Sequence, residues 1–124
     1  MQVVLDTNAL MMPVEAEVRL FEELDRLLDS YEAIVPEAVL AELEALAEGA
    51  GTEAVAASVG QDLAGRTRTV GHTAAYADDA IVEVARDHDA IAVTNDRPLK
   101  RRLTEAEIPV IGLRGGVKLE CNRI

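Results

Sequence analysis

The sequence has few aromatic residues, one cysteine and two histidines among its 124 residues. Tryptophan is absent, so a core must be built mainly from Ala, Val, Leu and Ile, and few rings remain for stacking on nucleobases. Cys121 alone can form neither an internal disulfide nor a cysteine metal cluster, which excludes a zinc finger and favours a reducing compartment. No apolar run approaches the roughly 20 residues of a membrane span, and no basic leader follows Met1. We therefore expect a cytoplasmic protein without a membrane anchor.

Positive charge is also scarce, since the formal net charge is −11. Taken alone, this balance argues against binding to nucleic acid, because such proteins usually present basic patches to phosphates. Two features weaken that argument: bound cations can invert the charge of a carboxylate cluster, and several arginines lie close together near the C-terminus. An acidic surface poor in lysine also suits a salt-rich cytoplasm.

Short apolar segments alternate with amphipathic ones along the chain. The expected strands are 2–5, 32–35, 66–70, 90–93 and 108–113, with a final edge strand at 117–120 after the Gly115–Gly116 turn. The expected helices are 13–29, 36–47, about 51–64, 76–88 and 99–103. Pro13 is expected in a first helical turn, and Pro109 indicates that 108–113 is an edge strand. The alternation predicts one α/β domain, 1–124, with a mostly parallel sheet covered by helices on both faces.

Acidic residues stand at the ends of the expected strands and at the starts of helices. Asp6 and Asp96 each follow a buried strand, Asp78 and Asp79 lie in the first turn of a helix, and Glu42 lies within another helix. Active sites of parallel sheets lie at the carboxyl ends of the strands, so these carboxylates can meet there. Oxygen ligands of this kind favour one or two Mg²⁺ or Mn²⁺ ions. Two such ions support phosphodiester hydrolysis without a side-chain nucleophile.

Each acid has a structural explanation when it is considered alone. Asp6 could cap a turn, Glu42 could be a solvated helix residue, and Asp79 could serve the helix dipole. Their joint placement favours a metal site. Signalling receivers and aspartyl-phosphate phosphatases also place an aspartate after the first strand. The phosphatase pattern requires a second aspartate where this chain has Asn8. A receiver requires paired acids before its phosphorylated aspartate and a later lysine, and this arrangement is also missing.

Four segments resemble the PIN-domain nucleases in order and spacing. They are Asp6-Thr7-Asn8, Glu42-Leu43-Glu44, 76–81 (YADDAI) and Thr94-Asn95-Asp96. The resemblance implies a PIN-like three-layer α/β/α sandwich that acts as a metal-dependent endoribonuclease. It also implies that Asp6, Glu42, Asp79 and Asp96 are the catalytic residues and metal ligands, that Asp78 is a further ligand, and that Asn8 and Thr94 orient them. The general pattern of the family favours Asp79 over Asp78.

A basic segment follows Asp96 directly and is the expected RNA contact: Arg97, Lys100, Arg101 and Arg102. The alternative is that these side chains only neutralise the acidic surface around them. Within the PIN superfamily, YADDAI, TNDRPLKRRL and IPVIGLRGGVKLE look most like the small-subunit ribosomal RNA processing branch, in a minimal archaeal form. That branch implies precursor ribosomal RNA and ribosome-assembly proteins as partners. The alternatives are a toxin ribonuclease paired with an antitoxin and a catalytically silent scaffold in a ribonucleoprotein. A homodimer is compatible with each.

Overall fold

The computed structural model describes residues 1–122, which form six strands and six helices. The strands are β1 (Gln2–Leu5), β2 (Glu32–Pro36), β3 (Arg68–Val70), β4 (Ile91–Val93), β5 (Val110–Arg114) and β6 (Lys118–Asn122). The helices are α1 (Thr7–Glu15), α2 (Leu20–Leu27), α3 (Glu37–Ala47), α4 (Gly51–Ala64), α5 (Ala77–Asp87) and α6 (Arg97–Glu105). Among residues 1–122, every helix is too short or too polar to cross a lipid bilayer.

The strands form one sheet in the order β3-β2-β1-β4-β5-β6, and all neighbouring pairs are parallel except β5 and β6. From β1 the chain builds outward through β2 to β3, and it then returns to the other side of β1 with β4. The direction of winding therefore reverses between β1 and β4. In parallel sheets, the crevice at the carboxyl ends of two such strands is where ligands bind. The fold thus places its natural binding crevice at the ends of β1 and β4.

The core consists mainly of aliphatic side chains from the strands and the inner faces of the helices. Helices α1 to α4 pack on one another, and α5 packs on α6, so the sheet is flanked by helices as the sequence predicts. Gly60 allows α4 to approach α1 closely, because a Cβ there would lie 3.1 Å from the Leu10 carbonyl oxygen and 3.1 Å from Leu43 Cδ2. The expected α/β class with a mostly parallel sheet is confirmed.

The expected helix 13–29 is wrong, because the chain forms α1 and α2 there with a break at 16–19. Asp6 Oδ1 accepts the Ala9 amide at 2.7 Å, and this cap starts α1 at Thr7. Pro13 therefore lies inside α1 instead of in a first turn. Its missing amide is tolerated because the helix ends two residues later. Glu17 then adopts a left-handed conformation (φ 54°), which turns the chain into α2.

The expectation that 108–113 is an edge strand is also wrong, since β5 lies between β4 and β6. Pro109 precedes the first residue of β5, so its missing amide interrupts no bond of the strand. Its carbonyl oxygen accepts the Ala92 amide at 3.0 Å. The final edge strand predicted after Gly115 and Gly116 is confirmed as β6.

Candidate active site

Two aspartates that cap helices lie at the crevice between β1 and β4. Asp6 follows β1 and caps α1. Asp96 caps α6, where its Oδ1 accepts the Leu99 amide at 2.9 Å. These bonds fix each carboxylate at the amino end of a helix, where the backbone dipole favours negative charge. The two predicted acids at strand ends are thus held at the same edge of the sheet.

An acidic pocket of about 340 Å³ opens at this crevice. Six carboxylates from five parts of the chain line it: Asp6, Glu15, Glu42, Glu53, Asp78 and Asp96. The remaining lining residues are Thr7, Asn8, Met11, Leu46 and Ala77. Within residues 1–122, no Lys, Arg or His side chain is among them. The pocket therefore concentrates negative charge without a protein counterion in its walls.

Asp6 is the most deeply buried of these acids, with only 4% of its surface exposed. Burial raises the pKa of Asp6 to about 7. Hydrogen bonds from the Thr94 side chain and the Ala9 amide oppose that rise, and the charges of Asp78 and Asp96 add to it. A cation in the pocket would stabilise the ionised form, which is otherwise costly near neutral pH.

The structure separates the two neighbouring aspartates at the start of α5. Asp78 lines the acidic pocket, and its pKa is raised by partial burial and by the nearby charges of Asp96 and Glu42. Asp79 does not line the pocket; its Oδ1 accepts Arg102 Nη2 at 2.7 Å on the exposed surface. The geometry thus brings Asp78 together with Asp6, Glu42 and Asp96, in contrast to the sequence-based preference for Asp79.

Two pocket carboxylates, Glu15 and Glu53, were not predicted from the sequence. Thr7, Met11 and Glu15 are spaced four residues apart on α1 and all line the pocket. That spacing would have identified Glu15 if the start of α1 had been assigned to Asp6. Glu53 lies in the first turn of α4, which reaches the pocket only through tertiary packing.

Asn8 and Thr94 connect the elements that carry the acids. Asn8 Oδ1 accepts the Asn95 amide at 2.8 Å, which joins α1 to the segment after β4. Thr94 is fully buried, and its Oγ1 accepts the Asp96 amide at 3.0 Å. The first contact ties the start of α1, next to Asp6, to the segment that carries Asp96, and the second fixes the turn that precedes Asp96.

A clamped loop positions Asp78. His72 Nε2 accepts the Ala38 amide of α3 at 3.0 Å, while its Nδ1 lies 2.8 Å from the Ala74 carbonyl oxygen. Glu83 on α5 accepts the Thr73 amide at 2.7 Å and the Ala74 amide at 2.9 Å. These bonds tie the loop before α5 to α3, the helix that carries Glu42.

The donor set of the pocket fits a hard divalent cation. Its polar walls are carboxylate, hydroxyl and amide groups, and the Thr7 hydroxyl oxygen is buried without a protein hydrogen-bond partner. Among residues 1–122, no three His, Cys, Asp or Glu side chains already enclose a metal position. This openness is compatible with Mg²⁺, which commonly keeps several waters and uses one or two carboxylates together with substrate phosphates.

The predicted basic contacts occupy different positions on α6. Arg97 and Arg101 are exposed, and Arg102 is held by Asp79. Lys100 is partly buried; its Nζ lies 3.4 Å from Asn95 Oδ1. Three of the four cations therefore have no carboxylate within ion-pair distance in the described part of the chain.

A larger cavity of about 630 Å³ lies at the opposite edge of the sheet, near the starts of β2 and β3. Its polar groups already bind one another: the Tyr31 hydroxyl donates to Asp25 at 2.9 Å, and Arg68 pairs with Glu32 at 3.1 Å. The Arg66 guanidinium lies 4.2 Å from the centre of the Phe21 ring. Size alone would favour this cavity, but it mixes acidic and basic side chains, several of which already bind one another, so the acidic pocket is the better candidate for catalysis.

Comparison with known proteins gives consistent results. Ribonuclease VapC4 from Methanocaldococcus jannaschii is 31% identical over 118 residues, which cover 91% of this chain and 90% of that protein. The structure of the PIN domain endonuclease Utp24 is 28% identical, with a TM-score of 0.79 and coverage of 99% of this chain and 92% of that chain. VapBC2 from Rickettsia felis, solved with a DNA fragment from its promoter, is 18% identical with a TM-score of 0.62. Its match covers 82% of this chain and 92% of that chain, and it shows the shared fold alone.

The family described as PIN like domain matches residues 3–116, which span most of the sheet and all of the pocket carboxylates. The resemblance found in the sequence is thereby confirmed at the level of the family. This chain belongs to the PIN like domain family.

Proposed function

We propose that the protein is a Mg²⁺- or Mn²⁺-dependent endoribonuclease that hydrolyses RNA phosphodiesters in the acidic pocket. The observation that carries the proposal is the convergence of four acids at the crevice between β1 and β4, where the strand order reverses: Asp6, Glu42, Asp78 and Asp96. Its ribonuclease relative and its endonuclease structural neighbour support the same activity.

In this proposal, Asp6, Asp78 and Asp96 hold one or two cations, and Glu42 completes the acidic wall from α3. When bound, the cation supplies the positive charge that favours ionised carboxylates, attracts the scissile phosphate and activates water. Hydrolysis adds that water across one P–O bond, so the chain needs no nucleophilic side chain. Asn8 and Thr94 keep the carboxylates in register. Asp79 pairs with Arg102 outside the acidic pocket and is not a metal ligand in this proposal.

Cleavage of labelled single-stranded RNA tests this function. We expect cutting in Mg²⁺ or Mn²⁺, none in EDTA, and loss of cutting in Asp6→Asn and Asp96→Asn. Asp87→Asn is the matched control, because Asp87 is an exposed acid at the far end of α5. Equal rates in the two pocket variants and the wild type would reject the assignment.

We favour ribosomal RNA processing as the biological role. The similarity to the Utp24 endonuclease extends over 99% of this chain, and the sequence motifs point to the same branch. Precursor ribosomal RNA and ribosome-assembly proteins would then be partners of a cytoplasmic, archaeal enzyme that acts alone or as a homodimer.

A toxin ribonuclease is the second candidate, because VapC4 is 31% identical and matches over 90% of its length. An antitoxin would then be the partner. Growth arrest on expression, relieved by the product of a neighbouring small gene, would favour the toxin. Accumulation of precursor ribosomal RNA on depletion would favour processing, and a silent scaffold would show neither cleavage in vitro nor growth arrest.

A further inference from the structure

We propose that single-stranded RNA runs from the acidic pocket over a basic surface formed by α6 and by the exposed ends of β5 and β6 at the carboxyl edge of the sheet. Lys100, Arg101, Arg114 and Lys118 would bind its phosphates. This inference rests on the proposed ribonuclease function and adds a substrate path to it.

The charge of the chain is divided unevenly along the sequence. Residues 97–124 contain seven Lys or Arg and three Asp or Glu, a net charge of +4. Residues 1–96 contain five and twenty, a net charge of −15. The basic part comprises α6 and the β5–β6 hairpin, which follow the last pocket acid directly. Positive charge is therefore concentrated on the elements beside the pocket.

Strand register places the hairpin cations on the same face as Lys100. Alternate residues Val110, Gly112 and Arg114 point to one face of β5. That face lies under α6, because a Cβ on Gly112 would lie 2.6 Å from Lys100 Nζ. Lys118 is the direct cross-strand partner of Arg114 and shares the face. Lys100, Arg114 and Lys118 thus lie on one side of the sheet, toward its carboxyl edge.

This face is covered by α6 at the start of β5, where Val110 is buried, and it is open at the other end of the strand, where Arg114 and Lys118 are exposed. Helix α2 covers the opposite face of β6, where Leu119 is buried. Glu23 and Arg26 of that helix bind the Leu119 amide at 2.9 Å and its carbonyl oxygen at 2.7 Å. The basic side of the hairpin is therefore left uncovered by this contact.

Lys100 lies between this basic surface and the acidic pocket. Lys100 Nζ lies 3.4 Å from Asn95 Oδ1, and Asn95 is the neighbour of the pocket residue Asp96. Arg114 and Lys118 are accessible, because both are exposed and the Arg114 guanidinium makes only a long contact of 3.9 Å with Glu120. Arg26, Arg68 and Arg102, in contrast, are engaged in ion pairs of 2.9, 3.1 and 2.7 Å.

A polyanionic strand is the occupant that this arrangement favours. An RNA cut in the pocket carries phosphates on both sides of the scissile bond, and the surrounding carboxylates repel them. A neighbouring row of cations offsets that repulsion on one side. An acidic protein segment on the same surface is the competing outcome, and in that case RNA affinity would not depend on Arg114 or Lys118 at either RNA length.

The test compares Arg114→Gln and Lys118→Gln with the control Arg86→Gln. Arg86 is exposed at the far end of α5, and its substitution removes the same charge. Affinity for single-stranded RNA of about four and about twelve nucleotides is measured by fluorescence anisotropy in Ca²⁺, with RNA integrity checked on gels. Each lost phosphate contact should lower the salt slope by about 0.7, so the deficit in affinity should shrink about fivefold between about 50 and 500 mM KCl.

We expect Arg114→Gln and Lys118→Gln to bind the longer RNA more weakly than the wild type and the shorter RNA equally well. Arg86→Gln should match the wild type for both. If every variant cuts both RNAs and binds them with the wild-type salt slope, the basic surface is not the RNA path and the ribonuclease function stands. If the wild type neither binds nor cuts RNA, the proposed function fails and this RNA path fails with it. Thermal melts of all variants exclude unfolding as the cause.

Discussion

At the scale of single residues, Asp6 shows how function conflicts with stability. Its carboxylate is buried at the end of β1, and its pKa is raised to about 7 mainly by desolvation. Near neutral pH the folded protein must either keep a proton there or bear a charge in a poorly solvated place. Binding of a cation resolves the conflict, so metal binding and protonation of Asp6 should compete.

The first prediction concerns the pH dependence of stability without metal. Between about pH 5 and pH 7 the unfolded chain ionises Asp6 while the folded protein keeps it protonated, so the unfolding free energy should fall as the pH rises. A shift of about three pKa units corresponds to a loss of about 4 kcal/mol at most. Urea titrations in EDTA at several pH values measure it.

Asp6→Asn is the control for this effect, because an amide oxygen can still accept the Ala9 amide but carries no charge. The variant should be more stable than the wild type at pH 7.5 in EDTA and should show a shallower pH dependence. A wild-type protein whose stability rises between pH 5 and 7 by more than that of Asp6→Asn would contradict the buried, raised pKa.

The second prediction separates Asp78 from Asp79. Because Asp78 lines the pocket and Asp79 binds Arg102 outside it, Asp78→Asn should reduce kcat by about 100-fold or more. Asp79→Asn should leave kcat within about tenfold of the wild type, because Asp79 lies outside the pocket. Steady-state cleavage kinetics distinguish the two, and the reverse order would restore Asp79 as the principal ligand.

At the scale of elements, the crossing of α1 and α4 holds two walls of the acidic pocket together. Gly60 permits the crossing, since a Cβ there would lie 3.1 Å from a backbone oxygen of α1. The third prediction is that Gly60→Val lowers the unfolding free energy by about 2 kcal/mol through overpacking. Ser58→Val, at an exposed site on the same helix, should change it by less than about 0.5 kcal/mol. Equal effects of the two substitutions in denaturant melts would show that the contact is unimportant.

The elements also show how far sequence patterns reach. The apolar runs at 2–5, 32–35 and 90–93 predicted buried parallel strands because both faces of such strands are covered. Helical periodicity failed at 13–29, where apolar spacing continued across the break at 16–19 and hid the cap at Asp6. That single error also concealed Glu15.

At the candidate site, too, the sequence predicts the residues whose positions follow from local patterns and misses those that depend on tertiary packing. Asp6 and Asp96 were predictable because strand ends and helix starts meet at one edge of a parallel sheet, whereas Glu42 lies within α3 and was expected from the family resemblance. Asp78 and Asp79 are neighbours in one helical turn and point about 100° apart, so which of them faces the pocket depends on how α5 packs on the rest of the fold. Glu53 reaches the pocket only through the packing of α4 on α1 and α3, which no local pattern encodes.

At the scale of the whole molecule, salt should act in opposite directions on folding, which repulsion among the excess acids opposes, and on RNA binding, which depends on cations that contact phosphates. Self-repulsion among the acids should be screened by salt, so the fourth prediction is that stability rises between low salt and about 1 M KCl, by on the order of 1 kcal/mol. RNA affinity should fall over the same range. Chemical denaturation and anisotropy measure the two trends, and parallel trends would contradict this division of charge.

The central claim is that carboxylates from distant parts of the chain hold a divalent cation at the ends of β1 and β4. Anomalous diffraction from crystals soaked in MnCl₂ tests it most directly. We expect a manganese peak in the acidic pocket, about 2.2 Å from carboxylate oxygens of at least two of Asp6, Asp78 and Asp96. A peak bound elsewhere, or a fully soaked crystal with none in this pocket, would contradict the account.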